Sequence, residues 1–210
     1  MSLCVVSCAT GAADLLADHS SVSDIAIRIF PAQSKYLVTG AADNTMRLWE
    51  VCNGKCLYTW EFPTAVKRVG FSTDDSKIVC ITEERMGYQS FVRVFEVNRS
   101  DPARQSKSPL SEFSPPGSKP TVCSFTFDGN AILTGHENGN IALWDMVTGE
   151  ELEGSKPHND TINDMQLSPD KSYLITASRD KTAKVRSVNA RIDVLSHILP
   201  LHYSFMMRTL

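Results

Sequence analysis

One alternating segment occurs four times along the chain: Val22-Ser-Asp-Ile-Ala-Ile27, Val66-Lys-Arg-Val-Gly-Phe71, Val122-Cys-Ser-Phe-Thr-Phe127 and Ile162-Asn-Asp-Met-Gln-Leu167. Apolar residues at roughly every second position predict a strand with one buried face. A polar turn follows each: Pro31 to Lys35, Ser72 to Lys77, Asp128 to Asn130 and Ser168 to Ser172. Second strands are expected at Tyr36 to Thr39, Ile78 to Ile81, Ala131 to Thr134 and Tyr173 to Thr176. Asp43-Asn44 and Asn138-Gly139 then lead into third strands, Met46 to Trp49 and Ile141 to Trp144. Such turn pairs tolerate the positive backbone φ that tight hairpins need. Each unit reads as a meander of antiparallel strands.

The unit starts at 22, 66, 122 and 162 lie 44, 56 and 40 residues apart, close to the roughly 40 to 45 residues of a four-stranded propeller blade. The long middle interval implies an insertion. Asp101-Pro102, Ser108-Pro109 and Ser114-Pro-Pro-Gly117 predict a loop without regular structure over 99–119. A passive loop is the favoured reading, and the alternative is a phosphorylation segment at Ser108 and Ser114, each before a proline, where added charge would change docking.

Composition narrows the classes. Of 210 residues 42% are hydrophobic, enough for a core rather than a disordered tail. Lys and Arg total 21 against 24 Asp and Glu, a net charge of -3, without the basic excess that drives phosphate-backbone binding. No direct sequence-specific nucleic-acid binding is expected, and partners should be proteins. Six cysteines stand at 4, 8, 52, 56, 80 and 123. Cys52 and Cys56 have no second pair or histidine set to complete four zinc ligands. No metal or other cofactor is expected, and a reducing compartment suits the scatter. The uncharged stretches Met1 to Ala13 and Val194 to Met207 are too short to span a bilayer, so a soluble cytoplasmic protein without membrane contact is expected.

A search for catalysis finds no convergent set of nucleophile, base and electrostatic groups. The sequence holds no G-x-S-x-G elbow and no phosphate loop. Asp74-Asp75 and Glu83-Glu84 fall in predicted solvated turns, and His19 and His158 precede blade strands, where a structural hydrogen bond suits them better than ligation. His136 sits near a turn. Trp49, Trp144, Phe95 and Tyr58-Thr-Trp60 recur at blade spacing, which suits core packing better than base stacking. No catalytic residue is assigned, and no enzyme is expected.

The third strands end in Leu48-Trp49-Glu50, Val94-Phe95-Glu96 and Leu143-Trp144-Asp145. In these the chain resembles the WD-repeat β-propeller family, and that resemblance implies an all-β fold of about four blades out of an expected seven, an incomplete ring. It also implies a hydrogen-bonded network of His, hydroxyl, turn Asp and Trp inside each blade. Carried over by position, the network residues are His19, Asp43, Trp49, Trp144, Asp145, His158, Ser178 and Asp180. Ala41 stands where the first unit should carry its hydroxyl, and Arg186 where the fourth should carry its aromatic residue. The second unit has Pro63 near the position of the histidine and Glu83 to Gln89 in place of a short turn.

Leu37 to Trp49, Ala65 to Arg68, Arg85-Met-Gly-Tyr-Gln-Ser90, Leu133 to Glu137 and Ile162 to Pro169 resemble, more closely, the subunit I family of eukaryotic translation initiation factor 3. That resemblance implies a non-enzymatic scaffold in a complex that helps the small ribosomal subunit recruit messenger RNA. Its partners would be other subunits of the complex, notably b and g, with the ribosomal subunit contacted indirectly. The runner-up is an adaptor in signalling or ubiquitin-ligase substrate recognition. The expected organisation is an atypical N-terminus at 1–18, blades at 19–62 and 63–98, the insertion at 99–119, a blade at 120–157, a partial blade at 158–184 and an aberrant tail at 185–210. Because Lys184-Val-Arg can be encoded across a splice-donor sequence, the tail is expected to be a translated intron.

Overall fold

The computed structural model describes residues 22–27, 36–126, 128–168 and 172–187. His19, Phe127 and positions 188–210 of the expected tail lie outside these. The chain divides into two compact units, Met1–Ser114 and Pro115–Leu210.

The first unit holds two antiparallel four-stranded meanders. β1 (Val22–Ile27), β2 (Tyr36–Ala41), β3 (Thr45–Glu50) and β4 (Lys55–Glu61) form one, in the order β1-β2-β3-β4. β5 (Val66–Phe71), β6 (Lys77–Thr82), β7 (Val92–Glu96) and β8 (Ser111–Phe113) form the other in the same sequential order. In the second unit β9 (Pro120–Phe125), β10 (Ala131–His136), β11 (Ile141–Asp145) and β12 (Glu151–Ser155) make a third such sheet, and β13 (Ile162–Leu167), β14 (Tyr173–Ser178) and β15 (Ala183–Ser187) a three-stranded one. The alternation seen in the sequence is thus the alternation of faces in each first strand. β1, β5 and β13 carry a bulge at the same place, between Val22 and Asp24, Val66 and Arg68, and Ile162 and Asp164.

Turn chemistry sets the register. Ser72 Oγ donates to Asp74 Oδ1 at 2.6 Å and accepts from Lys77 N at 2.9 Å, closing the β5–β6 turn. Thr126 does the same between β9 and β10, donating to Asp128 Oδ1 and accepting from Ala131 N. Hydrogen bonds from Ser72 and Ser76 hold the Asp74 carboxyl well below the usual carboxylate range. In the β2–β3 turn Asn44 takes φ 67°, a left-handed conformation that asparagine tolerates.

Sheets pack by their first strands. In the first unit Val66, Val69 and Phe71 of β5 join Val38, Met46 and Leu48 of the preceding sheet in one core with Ile78, Cys80 and Phe95. In the second, Ile162 and Met165 of β13 join Val122, Leu133, Ile141 and Leu143. The approach is close where Gly40 and Gly135 lie. A Cβ on Gly40 would sit 2.6 Å from Val66 Cγ1, and one on Gly135 2.7 Å from Val122 Cγ2 and 2.9 Å from Ile162 Cγ2.

Three expectations change. Within 99–119, Ser111–Phe113 forms β8 and pairs with β7, Val92 facing Phe113. The prolines flank this segment instead of interrupting it. The loop before it is tied down: Gln105 is buried and bonds Asn98 N, Asn98 O and Pro102 O, while Trp60 Nε1 donates to Ser106 O at 2.9 Å. The first strand of the third unit starts at Pro120 and ends at Phe125. Finally, β15 continues to Ser187, so Val185, Arg186 and Ser187 pair with Ile175, Leu174 and Tyr173 and belong to the sheet, not to a tail.

Candidate functional site

The chemistry-bearing side chains gather at one recurring place, where the second and third strands of a sheet face each other. Leu37 pairs with Trp49, Ile78 with Phe95, Ile132 with Trp144 and Leu174 with Arg186. Two residues further along the second strand, on the same face, come Thr39, Cys80, Thr134 and Thr176.

In the third sheet this place holds a relay of three side chains that ends on a backbone carbonyl. Trp144 Nε1 donates to Thr134 Oγ1 at 2.7 Å, and Thr134 Oγ1 lies 2.8 Å from His136 Nε2. His136 Nδ1 is 3.0 Å from Ser118 O. A carbonyl can only accept, so Nδ1 carries the proton and Nε2 accepts from the threonine. Burial pushes the His136 pKa down against the pull of the Ser118 carbonyl, which agrees with a neutral ring. The turn beyond it needs Gly139, with φ +84°, because a Cβ there would lie 2.2 Å from His158 O. Asp145, next to the tryptophan, points to the turn instead and accepts from Val147 N and Thr148 N at 2.8 Å each.

In the fourth sheet His158 Nε2 lies 2.8 Å from Thr176 Oγ1, and Nδ1 lies 3.0 Å from Asp180 Oδ2 and from Thr182 Oγ1. Asp180 also accepts from Asn159 N, Thr182 N and Thr182 Oγ1. Burial works against its charge, but those bonds outweigh burial and hold it well below the usual carboxylate range. Burial, aided by the charges of Lys184 and Arg186, holds the His158 pKa down against the pull of Asp180, which agrees with a neutral imidazole donating to the carboxylate. Ser178 is placed elsewhere: its Oγ donates to Asp160 O at 2.9 Å and accepts from Asp180 N. The position facing Leu174 belongs to Arg186, 4% exposed, with one terminal nitrogen on Ser155 Oγ at 2.7 Å and a buried Nε without a partner.

The first sheet keeps half of the arrangement. Trp49 Nε1 donates to Thr39 Oγ1 at 2.9 Å, so the hydroxyl stands at 39 and not at Ala41. Thr39 and Ala41 are both buried and share a strand face, but Thr39 is two residues from Leu37, which pairs with Trp49, and Ala41 is four. Asp43 serves its own turn, accepting from Thr45 N and Thr45 Oγ1, with Arg47 at 3.6 Å. In the second sheet Phe95 and Cys80 fill the equivalent places and remove the need for polar partners; burial pushes the Cys80 thiol up to about 12, which leaves it unreactive.

Thr39, Thr134, Thr176 and His136 are the members that pattern reading passed over. Their signal was the two-residue spacing from the residue facing the tryptophan, as in Ile132-Leu-Thr134-Gly-His136. The other polar candidates have ordinary roles. Glu83 pairs with Lys67 at 2.9 Å, and Cys56 Sγ lies 3.7 Å from Tyr58 O. Trp60 packs on Tyr58 and Phe95, with ring centroids 4.8 and 5.5 Å apart, inside the first unit's core. Among the described residues no group of three or more His, Cys, Asp or Glu side chains could hold a metal ion, and no helix is long and apolar enough to cross a membrane. A cleft of about 580 Å³ lies in the second unit beside His136, Asn138, Asn140, Glu151 and Lys156. These arrangements satisfy buried polar atoms; chemically, they hold sheets.

The pattern of the WD domain, G-beta repeat family matches residues 12–50, 107–145 and 150–187. The last match ends where β15 ends. The chain is also 47% identical over 159 residues to eukaryotic translation initiation factor 3 subunit I of Schizosaccharomyces pombe, covering 75% of this chain and 48% of that one. Proteins of the same description from Emericella nidulans and Mycosarcoma maydis are 45% and 46% identical, each over 72% of this chain and 46% and 47% of their own length. The chain thus spans about half the length of the curated relatives it matches. With four antiparallel meanders, tryptophan–threonine pairs in two of them and family matches over more than half its length, the chain belongs to the WD domain, G-beta repeat family.

Proposed function

We propose that this chain acts as a non-enzymatic WD-repeat scaffold in the eukaryotic translation initiation factor 3 complex, working in the cytoplasm through protein–protein contacts. The observation that carries the reading is the 47% identity to a relative of that description across three-quarters of the chain. The fate of the polar side chains supports it. His136, His158 and Asp180 are spent on threonines, a backbone carbonyl and each other, which leaves binding to the exposed turns and edges. Its partners in this reading are other subunits of the complex, b and g among them, and through them the small ribosomal subunit. It would support recruitment of messenger RNA and initiator tRNA without reading nucleic-acid sequence itself.

Affinity purification of the tagged chain from eukaryotic cells, followed by mass spectrometry, tests the assignment. The reading expects initiation factor 3 subunits and small-subunit ribosomal proteins above background. Recovery of ubiquitin-ligase or signalling components without them would contradict it and favour the adaptor role.

A further inference from the structure

The connection between second and third strands is short in three sheets, over 42–44, 137–140 and 179–182, but between β6 and β7 it runs from Glu83 to Phe91. There the chain forms a miniature hairpin. Arg85 N donates to Tyr88 O at 3.1 Å and Tyr88 N to Arg85 O at 3.0 Å, so Met86 and Gly87 form a two-residue turn with φ 52° and 86°. Asn-Gly is the usual choice for that geometry, and a long side chain in the left-handed region is an outlier. Backbone strain of this kind persists where the surroundings impose it and gathers at functional positions.

The surroundings do impose it. Below the turn, Thr82 N donates to Phe91 O at 3.0 Å and Glu83 N to Ala65 O at 2.8 Å. Ser90 Oγ donates to Thr82 O at 2.6 Å, and Ser114 Oγ donates to Ser90 O at 2.8 Å. Yet residues 84–89 are all exposed, and Met86 and Tyr88 are 86% and 55% exposed. Neither side chain contributes to the core, so the methionine stands at a position where its own backbone disfavours it and where it packs on nothing in the first unit's core.

We propose that this hairpin is a docking knob for a neighbouring protein subunit, whose surface offers an apolar pocket for Met86 and Tyr88 and a carboxylate at the rim for Arg85. The proposal rests on the reading of the chain as a subunit of a larger assembly. Tyrosine, methionine and arginine are the side chains enriched where interfaces are driest, and a tip held by its base loses little freedom on binding. A protein is favoured over RNA because the tip carries a single arginine beside Glu84, with Glu83 paired to Lys67, in a chain of net charge -3, without the basic excess that phosphate binding needs.

The test uses the full chain and a recombinant initiation factor 3 core assembled without its own subunit I. Met86→Gly relieves the turn, so the thermal midpoint should hold or rise while affinity for the core falls at least tenfold. Tyr88→Ala should weaken binding likewise, and p-benzoyl-phenylalanine at position 88 should crosslink to a protein subunit. Binding of both variants within twofold of the unmodified chain, or crosslinking to RNA alone, would overturn the proposal and leave the scaffold reading standing. Failure of the unmodified chain to bind the core would remove both.

Discussion

Trp144 Nε1 donates to Thr134 Oγ1 at 2.7 Å, and the same hydroxyl meets His136 Nε2 at 2.8 Å. One threonine thus joins an indole that can only donate to an imidazole nitrogen that, with Nδ1 protonated, can only accept. Thr134→Val keeps the shape and removes the hydroxyl, which leaves two buried polar atoms unpaired and should cost about 2–4 kcal/mol. Thr134→Ser should cost less than about 1.5 kcal/mol, since only a methyl is lost. Urea unfolding of the two variants separates these outcomes.

Acid should weaken the fold in a defined window. Burial holds both His136 and His158 below their ordinary value of 6.5, so the unfolded chain binds more protons than the folded one just below that pH. Stability is then complete above pH 6.5 and falls as pH drops toward the lowered values. Urea midpoints measured from pH 7.5 to 5 should decline, and His136→Gln should flatten part of that slope. Midpoints that do not change over this range would contradict the neutral, buried imidazoles.

Arg186 occupies the place that tryptophan holds in two other sheets, facing Leu174 as Trp144 faces Ile132. Its buried Nε is unpaired, and Thr176 Oγ1 lies two residues from Leu174 on the same face. Arg186→Trp should supply an indole donor to Thr176 and remove a buried charge, raising stability by about 1–3 kcal/mol. A lower thermal midpoint would show that the Ser155 contact outweighs both gains.

Sheet spacing is tested at two glycines. Gly135→Ala would drive a methyl to within 3 Å of Val122 and Ile162, and overpacking of that kind costs about 1–3 kcal/mol. At Gly70 the nearest atom to an added Cβ is Val79 Cγ1 at 3.5 Å, ordinary contact, so Gly70→Ala should instead stabilise by roughly 0.4–1 kcal/mol. Thermal melts of the two alanine variants should move in opposite directions.

The first strands of three sheets were legible to the residue, because β5 and β13 bury one face against a preceding sheet and alternation follows directly from that. Val66–Phe71 and Ile162–Leu167 are examples. β8 was not legible: Ser111-Glu-Phe113 is three residues long among prolines, and what selects it is the open edge of β7. The network was half legible. His158 and Asp180 stand out by position, but the hydroxyl stands at 39 and 176 rather than at 41 and 178: positions two apart share a strand face, and only the pairing of Leu37 with Trp49 and of Leu174 with Arg186 shows which of them is nearer the third-strand side chain. The end of β15 was missed because Val185-Arg-Ser187 has lost the aromatic residue that marks the other third strands, while its backbone pairing with Tyr173–Ile175 does not depend on that side chain. Tyr173 and Ile175 are each 44% exposed, although the corresponding Ala131 and Leu133 lie in the core formed with β13.

The central claim is that exposed surfaces of a WD-repeat scaffold bind initiation factor 3 subunits while its polar side chains hold the sheets together. Sedimentation velocity with the purified chain and a recombinant initiation factor 3 core lacking subunit I tests it most directly. The account predicts that the chain moves into the fast-sedimenting boundary at one copy per core, and that Thr134→Ser does not alter this. A chain that sediments alone at every core concentration, while melting as a folded protein, would contradict it.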